Sequence, residues 1–130
     1  MKFSKDFKEI KGDASIRKFY RNTKKNSIIV FANLENIKNL LIYDSINKIL
    51  IKNNIIAPKL LSQNYRNNYI EIQDLGNETI YQTFIKNKKN HYLILKKVIN
   101  VLNKIQKIKD KKVKNFNNKF YKIKNYNNKV

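Results

Sequence analysis

Few residues in this chain can do chemistry, and they are easily located. There is no cysteine and a single histidine, His91, which excludes a disulfide framework, a thiolate metal site and a multi-histidine metal centre. Nine carboxylates face 29 basic residues, and beyond His91 the only acid is Asp110. The most unusual stretch is KGDASIRKFYR, Lys11–Arg21. It combines one of only two glycines with the small or turn-prone Asp13, Ala14 and Ser15, and with two of only three arginines. On an extended strand Arg17 and Arg21 project from one face and Lys18 from the other. Two cations on one face beside a tight turn could meet phosphate oxygens. The same pattern also describes an ordinary turn leading into a solvated strand.

The overall charge of +20 is a weaker guide than it looks. Lysine outnumbers arginine 26 to 3, and lysine, asparagine and isoleucine together fill more than half of the chain. AT-rich coding yields that triplet, whereas basic nucleic-acid modules favour the planar arginine fork. Non-specific attraction to polyanions follows from the charge whatever its origin. The same bias makes glycine and proline informative, and they occur only at Gly12, Pro58 and Gly76. Residues 86–130 carry fifteen lysines against Asp110, interleaved with Phe116, Phe120, Tyr121 and Tyr126. That is a rival nucleic-acid signal, although no RNA- or DNA-binding motif accompanies it.

At 130 residues the chain is expected to form one domain with a modest core. No segment has the length and apolarity of a membrane span or a signal peptide, so a cytoplasmic protein without membrane contact is expected. Residues 15–22 and 27–32 read as an antiparallel hairpin around the polar loop NTKKN. The period then lengthens. Leu34, Ile37, Leu41, Ile46, Ile49 and Leu50 predict a helix over 35–53, with Asn33 as N-cap, Glu35 in the first turn and Asn53-Asn54 as the stop. Pro58 marks a strand entry or edge. Residues 69–74 alternate as a half-buried strand ending at Gly76, and 91–108 form a second amphipathic helix. From Lys109 onward no period is visible, and a loosely held tail is expected. The expected division is residues 1–85, the sheet and its helix, and residues 86–130, a linker, helix and basic tail.

Three segments carry a family resemblance. GDASIRKFYR (Gly12–Arg21) resembles the G-D-A-S-aromatic-R-R-aromatic-aromatic-R signature of one branch of the aminoglycoside phosphotransferase family. That branch is similar to bacterial kinases of N-acetylmuramate and N-acetylglucosamine. NNIIAPKLLSQN and YIEIQDLGNETIYQTF resemble the family's Pro-containing segment and its DLG hinge. The resemblance covers residues 8–108. It implies an α+β fold: the small lobe of a protein-kinase-like architecture, a twisted antiparallel sheet with one packed helix, then a hinge and one further helix.

By this resemblance the small lobe binds ATP. Gly12, Asp13, Ala14 and Ser15 would cover the phosphates, Arg17 and Arg21 would meet their oxygens, and the backbone of Gln73, Asp74 and Leu75 would receive adenine. Two departures qualify the implication. The strand SIIVFA has no lysine to pair with a helix glutamate, so Asp44 is instead a candidate partner for Arg17 or Arg21, or else a solvent-exposed helix acid. The aspartates that hold Mg²⁺ and act as base belong to a large lobe, and His91-Tyr92-Leu93 does not supply them. The chain is therefore expected to be a truncated or split phosphotransferase lobe, inactive alone and needing a separate catalytic lobe before Mg²⁺ and an amino-sugar hydroxyl could be engaged. Residues 91–108 are apolar over a wide arc and would dock that lobe or self-associate. The alternative is a non-catalytic basic module that binds nucleic acid or a protein partner.

Overall fold

The computed structural model describes residues 5–11, 15–86 and 90–123. A five-stranded antiparallel sheet is formed by β1 (Phe7–Ile10), β2 (Arg17–Asn22), β3 (Ser27–Ala32), β4 (Leu60–Asn64) and β5 (Tyr69–Gln73), in the spatial order β1-β2-β3-β5-β4. Helix α1 (Lys38–Lys52) lies in sequence between β3 and β4. Helices α2 (Ile80–Lys86) and α3 (His91–Gln106) follow β5, and a separate hairpin, β6 (Lys112–Lys114) with β7 (Phe120–Lys122), comes last. The fold is α+β, and the three strands expected over 15–22, 27–32 and 69–74 share one antiparallel sheet. No helix among the described residues is long and apolar enough to cross a membrane.

Register decides which side chains meet. Arg17, Phe19 and Arg21 stand opposite Ala32, Val30 and Ile28, and β3 in turn sets Val30 against Ile70 and Ile28 against Ile72. Because the side-chain period is two, these residues share one sheet face. Val30, Ala32, Ile70 and Ile72 are buried there together with Leu40 of α1, with Phe19, Ile28, Ile37, Tyr43, Leu60, Tyr65 and Phe116 packed around them. Burying such β-branched and leucine side chains contributes roughly 1.5–3 kcal/mol each.

Helix α1 departs from the expected stripe. Leu34–Asn36 form a 3₁₀ turn, the α-helix begins at Lys38, and the Asn33 side chain makes no capping hydrogen bond. Leu34 and Ile46, expected to face the core, are exposed, while Asp44, Ser45 and Asn47 are buried. An isoleucine or leucine in almost every turn lets several helical phases look apolar, so the pattern alone does not select one. The buried polar groups find local partners. Asp44 Oδ2 accepts from Lys48 Nζ at 2.8 Å, and Ser45 Oγ donates to Leu41 O at 2.7 Å. The expected stop is present: Asn53 closes on Ile49 O, and Asn54 adopts a left-handed φ of 56°.

Asparagine replaces the scarce glycine elsewhere too. Every described non-glycine residue with positive φ is an asparagine, Asn54, Asn68 or Asn118, and each one ends a helix or turns a loop. Pro58 lies two residues before β4, an edge strand, as expected for a residue that cannot donate to a ladder.

The expectation of a loosely held tail from Lys109 is corrected for residues 109–123. The β6–β7 hairpin turns on Asn115, which is buried and whose Oδ1 accepts from the N–H groups of Asn117 and Lys119. Phe116 reaches back to the sheet core and meets the Tyr65 ring edge-on at 5.7 Å. Asp110 is tied to α1 by Lys52 Nζ and by Asn53 Nδ2, the latter at 2.8 Å. Helix α3 ends at Gln106, two residues earlier than expected, with Lys107 as its C-cap.

Candidate functional site

Strand β2 carries the two arginines singled out by the sequence, and the fold gives them different surroundings. Arg21 stands at the end of β2 nearest the exit of β5. Its Nε donates to Asp74 Oδ2 at 2.5 Å and its Nη2 to Asp74 Oδ1 at 3.1 Å, while Nη2 also reaches Gly76 O and Nη1 the Asn77 side chain. Asp74 Oδ1 additionally accepts the Gly76 N–H at 2.8 Å, closing a small turn in which Gly76 takes a φ of 94°. The Arg21 hydrogen bonds hold the Asp74 carboxyl below its ordinary range; burial opposes them, and the Gly76 N–H and the Arg21 charge add to them. Every nitrogen of the Arg21 side chain is thus engaged.

Arg17, at the opposite end of the same strand face, makes no ion pair and no side-chain hydrogen bond among the described residues. Its guanidinium lies over the Tyr43 ring, 5.0 Å from the centroid, and its Nε is buried without a partner. Tyr43 comes from α1 and also meets Phe19, with ring centroids 6.4 Å apart. Burial pushes the Tyr43 phenol up, against the opposing pull of the Asn47 hydrogen bond and the Arg17 charge. Ser15, just upstream, is exposed, and its Oγ accepts the Arg17 N–H at 3.2 Å. Gly12, Asp13 and Ala14, expected to form the phosphate turn, lie outside the described residues.

The segment expected to receive adenine is only partly open. Gln73 N–H donates to Lys59 O at 2.8 Å and Asp74 N–H to Asn26 O at 3.2 Å, so both are spent within the sheet. Leu75 is exposed, and no hydrogen bond of its backbone is present among the described residues. Asp44 pairs with neither Arg17 nor Arg21, and it is not solvent-exposed as a lone helix acid would be. It is 2% exposed and bound to Lys48, because one helical turn brings that lysine to it at lower cost than a cross-element contact.

Sequence reasoning put Arg21 and Asp74 in one site but not in contact, and it overlooked Tyr43 and Asn77. Nothing local distinguishes Tyr43 from the other aromatic residues of the chain. His91 serves as a joint between helices: its Nε2–H donates to Phe84 O at 2.8 Å and its ring stacks on Phe84 at 3.7 Å. No cluster of three or more His, Asp or Glu able to hold a metal exists among the described residues.

A second feature is the apolar surface of α2 and α3. No residue of α3 is buried, and Tyr92, Leu93, Leu95, Ile99, Val101, Leu102 and Ile105 are 40–74% exposed. An open cleft of about 500 Å³ runs between the two helices, lined by Ile80, Thr83, Ile94, Val98, Val101 and Leu102 among others. No family model, no curated protein and no solved structure matches this chain.

Proposed function

We propose that the chain is the small lobe of a small-molecule phosphotransferase. It would bind ATP along β2, with the phosphates towards the chain that precedes Arg17 and the adenine against Leu75. The observation that carries this reading is the order of elements: antiparallel strands, one helix packed on the sheet between β3 and β4, and a DLG turn at the exit of β5. Arg21 on β2 and Asp74 of that turn are bonded, which ties two of the three resembling segments into one unit. The base and Mg²⁺ ligands would come from a large lobe that these 130 residues do not contain. The apolar face of α3 is the surface offered to it, and an amino-sugar hydroxyl is the acceptor suggested by the resemblance. Calorimetric titration with ATP at physiological salt tests the reading. Saturable binding with a preference for ATP over inorganic tripolyphosphate is expected, and the absence of binding at millimolar ATP would remove it.

One observation favours a basic binding module as the second reading. The outward face of the β6–β7 hairpin sets Phe120, 57% exposed, among Lys112, Lys114 and Lys122, with the Lys112 and Lys114 ammonium groups 4.8 and 5.4 Å from its ring centroid. Cations around an exposed aromatic can hold single-stranded nucleic acid by charge and stacking. On this reading Phe120→Ala weakens oligonucleotide binding about tenfold or more, whereas charge alone would leave the affinity unchanged in that variant.

A further inference from the structure

We propose that α3, with α2 beside it, is a membrane-surface anchor that lies in the headgroup layer of an anionic bilayer with its apolar half turned to the acyl chains. The inference is independent of the nucleotide reading. A large lobe would need the same face, so lobe and bilayer exclude each other there.

At about 100° per residue, Tyr92, Leu95, Ile99, Val101, Leu102 and Ile105 fall on one half of the α3 circumference. Tyr92, Ile99 and Leu102 are each more than half exposed, and no residue of the helix is buried. Across the open cleft stands Ile80 of α2, and Ile80, Tyr81 and Ile85 are at least half exposed. So many large apolar groups in one region mark an interaction surface. Helix α3 has 16 residues and runs about 24 Å, less than the hydrocarbon thickness of about 30 Å. It can lie along a bilayer but not cross one, and a surface helix requires no spanning segment in the sequence.

Charge selects the occupant. Lysines border the apolar half on both sides: Lys96 lies one turn on from Tyr92, and Lys97 lines the cleft with Ile94 and Val98. Lys104 and Lys107 fall on the opposite half. All four lysines are exposed, and α3 carries no carboxylate. Glu78, the one acid lining the cleft, is paired with Lys86 at 3.5 Å. A second copy of the chain would set lysine against lysine. An anionic bilayer satisfies both halves, because its acyl chains take the apolar one while the lysines reach lipid phosphates along their own methylene stems. Tyr81 and Tyr92, with an apolar ring and a polar tip, suit the headgroup boundary. A protein partner would have to present the same two features in matching register. A bilayer needs no register.

The test is flotation of the full chain with vesicles of phosphatidylcholine alone, and of phosphatidylcholine mixed equally with phosphatidylglycerol. About 150 mM salt damps diffuse attraction to the many lysines. Binding to the mixed vesicles, and far less to the neutral ones, is expected. Leu102→Lys should weaken binding about tenfold or more, although it raises the net charge, because one leucine is withdrawn from the apolar phase. Leu61→Lys makes the same change at a similarly exposed leucine of β4 and should not weaken it. The chain has no tryptophan, so Tyr92→Trp supplies a single reporter whose emission should shift to the blue on binding. Circular dichroism establishes that each variant is folded. Leu102→Lys bound as tightly as the native chain, or unshifted emission from Tyr92→Trp, would reduce the contact to charge alone and overturn the proposal. Failure to float with the mixed vesicles would also overturn it, and self-association lost in Leu102→Lys would then assign the face to a second copy. ATP titration bears on the nucleotide reading only, so either reading can fail without the other.

Discussion

The Arg21 guanidinium grips the Asp74 carboxylate with two hydrogen bonds, at 2.5 and 3.1 Å, across 53 residues of sequence. The pair fastens β2 to the turn that leaves β5, although β3 lies between those strands in the sheet. It therefore fixes the angle at which the chain departs from the sheet towards α2. An ion pair with one side chain 23% and the other 7% exposed sits where screening is weak but desolvation is incomplete.

Removing one partner should be destabilising. Arg21→Gln is expected to cost about 1–3 kcal/mol, the range for hydrogen bonds to charged groups, measured by urea denaturation. The effect depends on pH with a definite sign. Asp74 has a lowered pKa in the folded state, so its contribution is present above the ordinary carboxylate pKa of about 4 and fades as pH falls through the folded value. The gap in stability between the native chain and Arg21→Gln should thus be full at pH 7 and close in acid. A gap that persists unchanged at pH 2.5 would show that the carboxylate is not its source.

The β6–β7 hairpin should depend on one aromatic contact. Phe116→Ala removes the ring that meets Tyr65 and the sheet core, and a loss of about 2 kcal/mol is expected for a partly buried phenylalanine. Amide exchange reports the location of the damage. The N–H groups of Asn115 and Ile123, which bond to Lys119 O and Lys111 O, should lose protection, whereas those of β3 and β5 should keep theirs.

How much of this was legible beforehand varies by element, for physical reasons. Residues 27–32 were legible as a β-branched apolar run, the mark of a buried strand, and 69–73 by the alternation of a half-buried one. Strand β4 was legible only as an edge after Pro58, since its residues are mostly exposed and its pairing slips between Leu60 and Ser62. Four-residue β1 is too short for a period to emerge. The hairpin after Lys109 was hidden because its turn uses Asn118, and in a chain so rich in asparagine a structural one resembles composition. The site residues Arg17, Arg21 and Asp74 were legible as types. That Arg21 binds Asp74 while Arg17 rests on Tyr43 is set by tertiary register, which no local pattern encodes.

Catalysis by these 130 residues alone should be absent. With ATP, Mg²⁺ and amino sugars or aminoglycosides, no phosphorylation above background is expected, because beyond His91 the sequence holds a single acid and so no pair to act as base and metal ligand. Asp110, the one acid beyond His91, is bonded to Lys52 and Asn53 and has a lowered pKa mainly through Lys52. Asp110→Asn should therefore alter how α1 meets the hairpin and nothing catalytic. Turnover that disappears in Asp110→Asn would reverse this assignment.

Helix α3 should make the chain adhesive. Its apolar residues are exposed from Tyr92 to Ile105, and the cleft towards α2 is open, so the helix presents a contiguous apolar patch of about several hundred Å². Helix α3 and its C-cap carry Lys96, Lys97, Lys104 and Lys107 and no carboxylate, so two copies meeting through this helix repel until salt screens them. Sedimentation at tens of micromolar should then show little association at low salt and growing association as salt rises. Leu102→Lys, which puts a charge in the middle of the patch, should abolish it. A partner lobe with acidic residues beside an apolar strip would show the opposite salt dependence, binding best when salt is low. A monomer at every salt concentration, unaffected by Leu102→Lys and indifferent to any such lobe, would mean that the exposed face of α3 has no docking role.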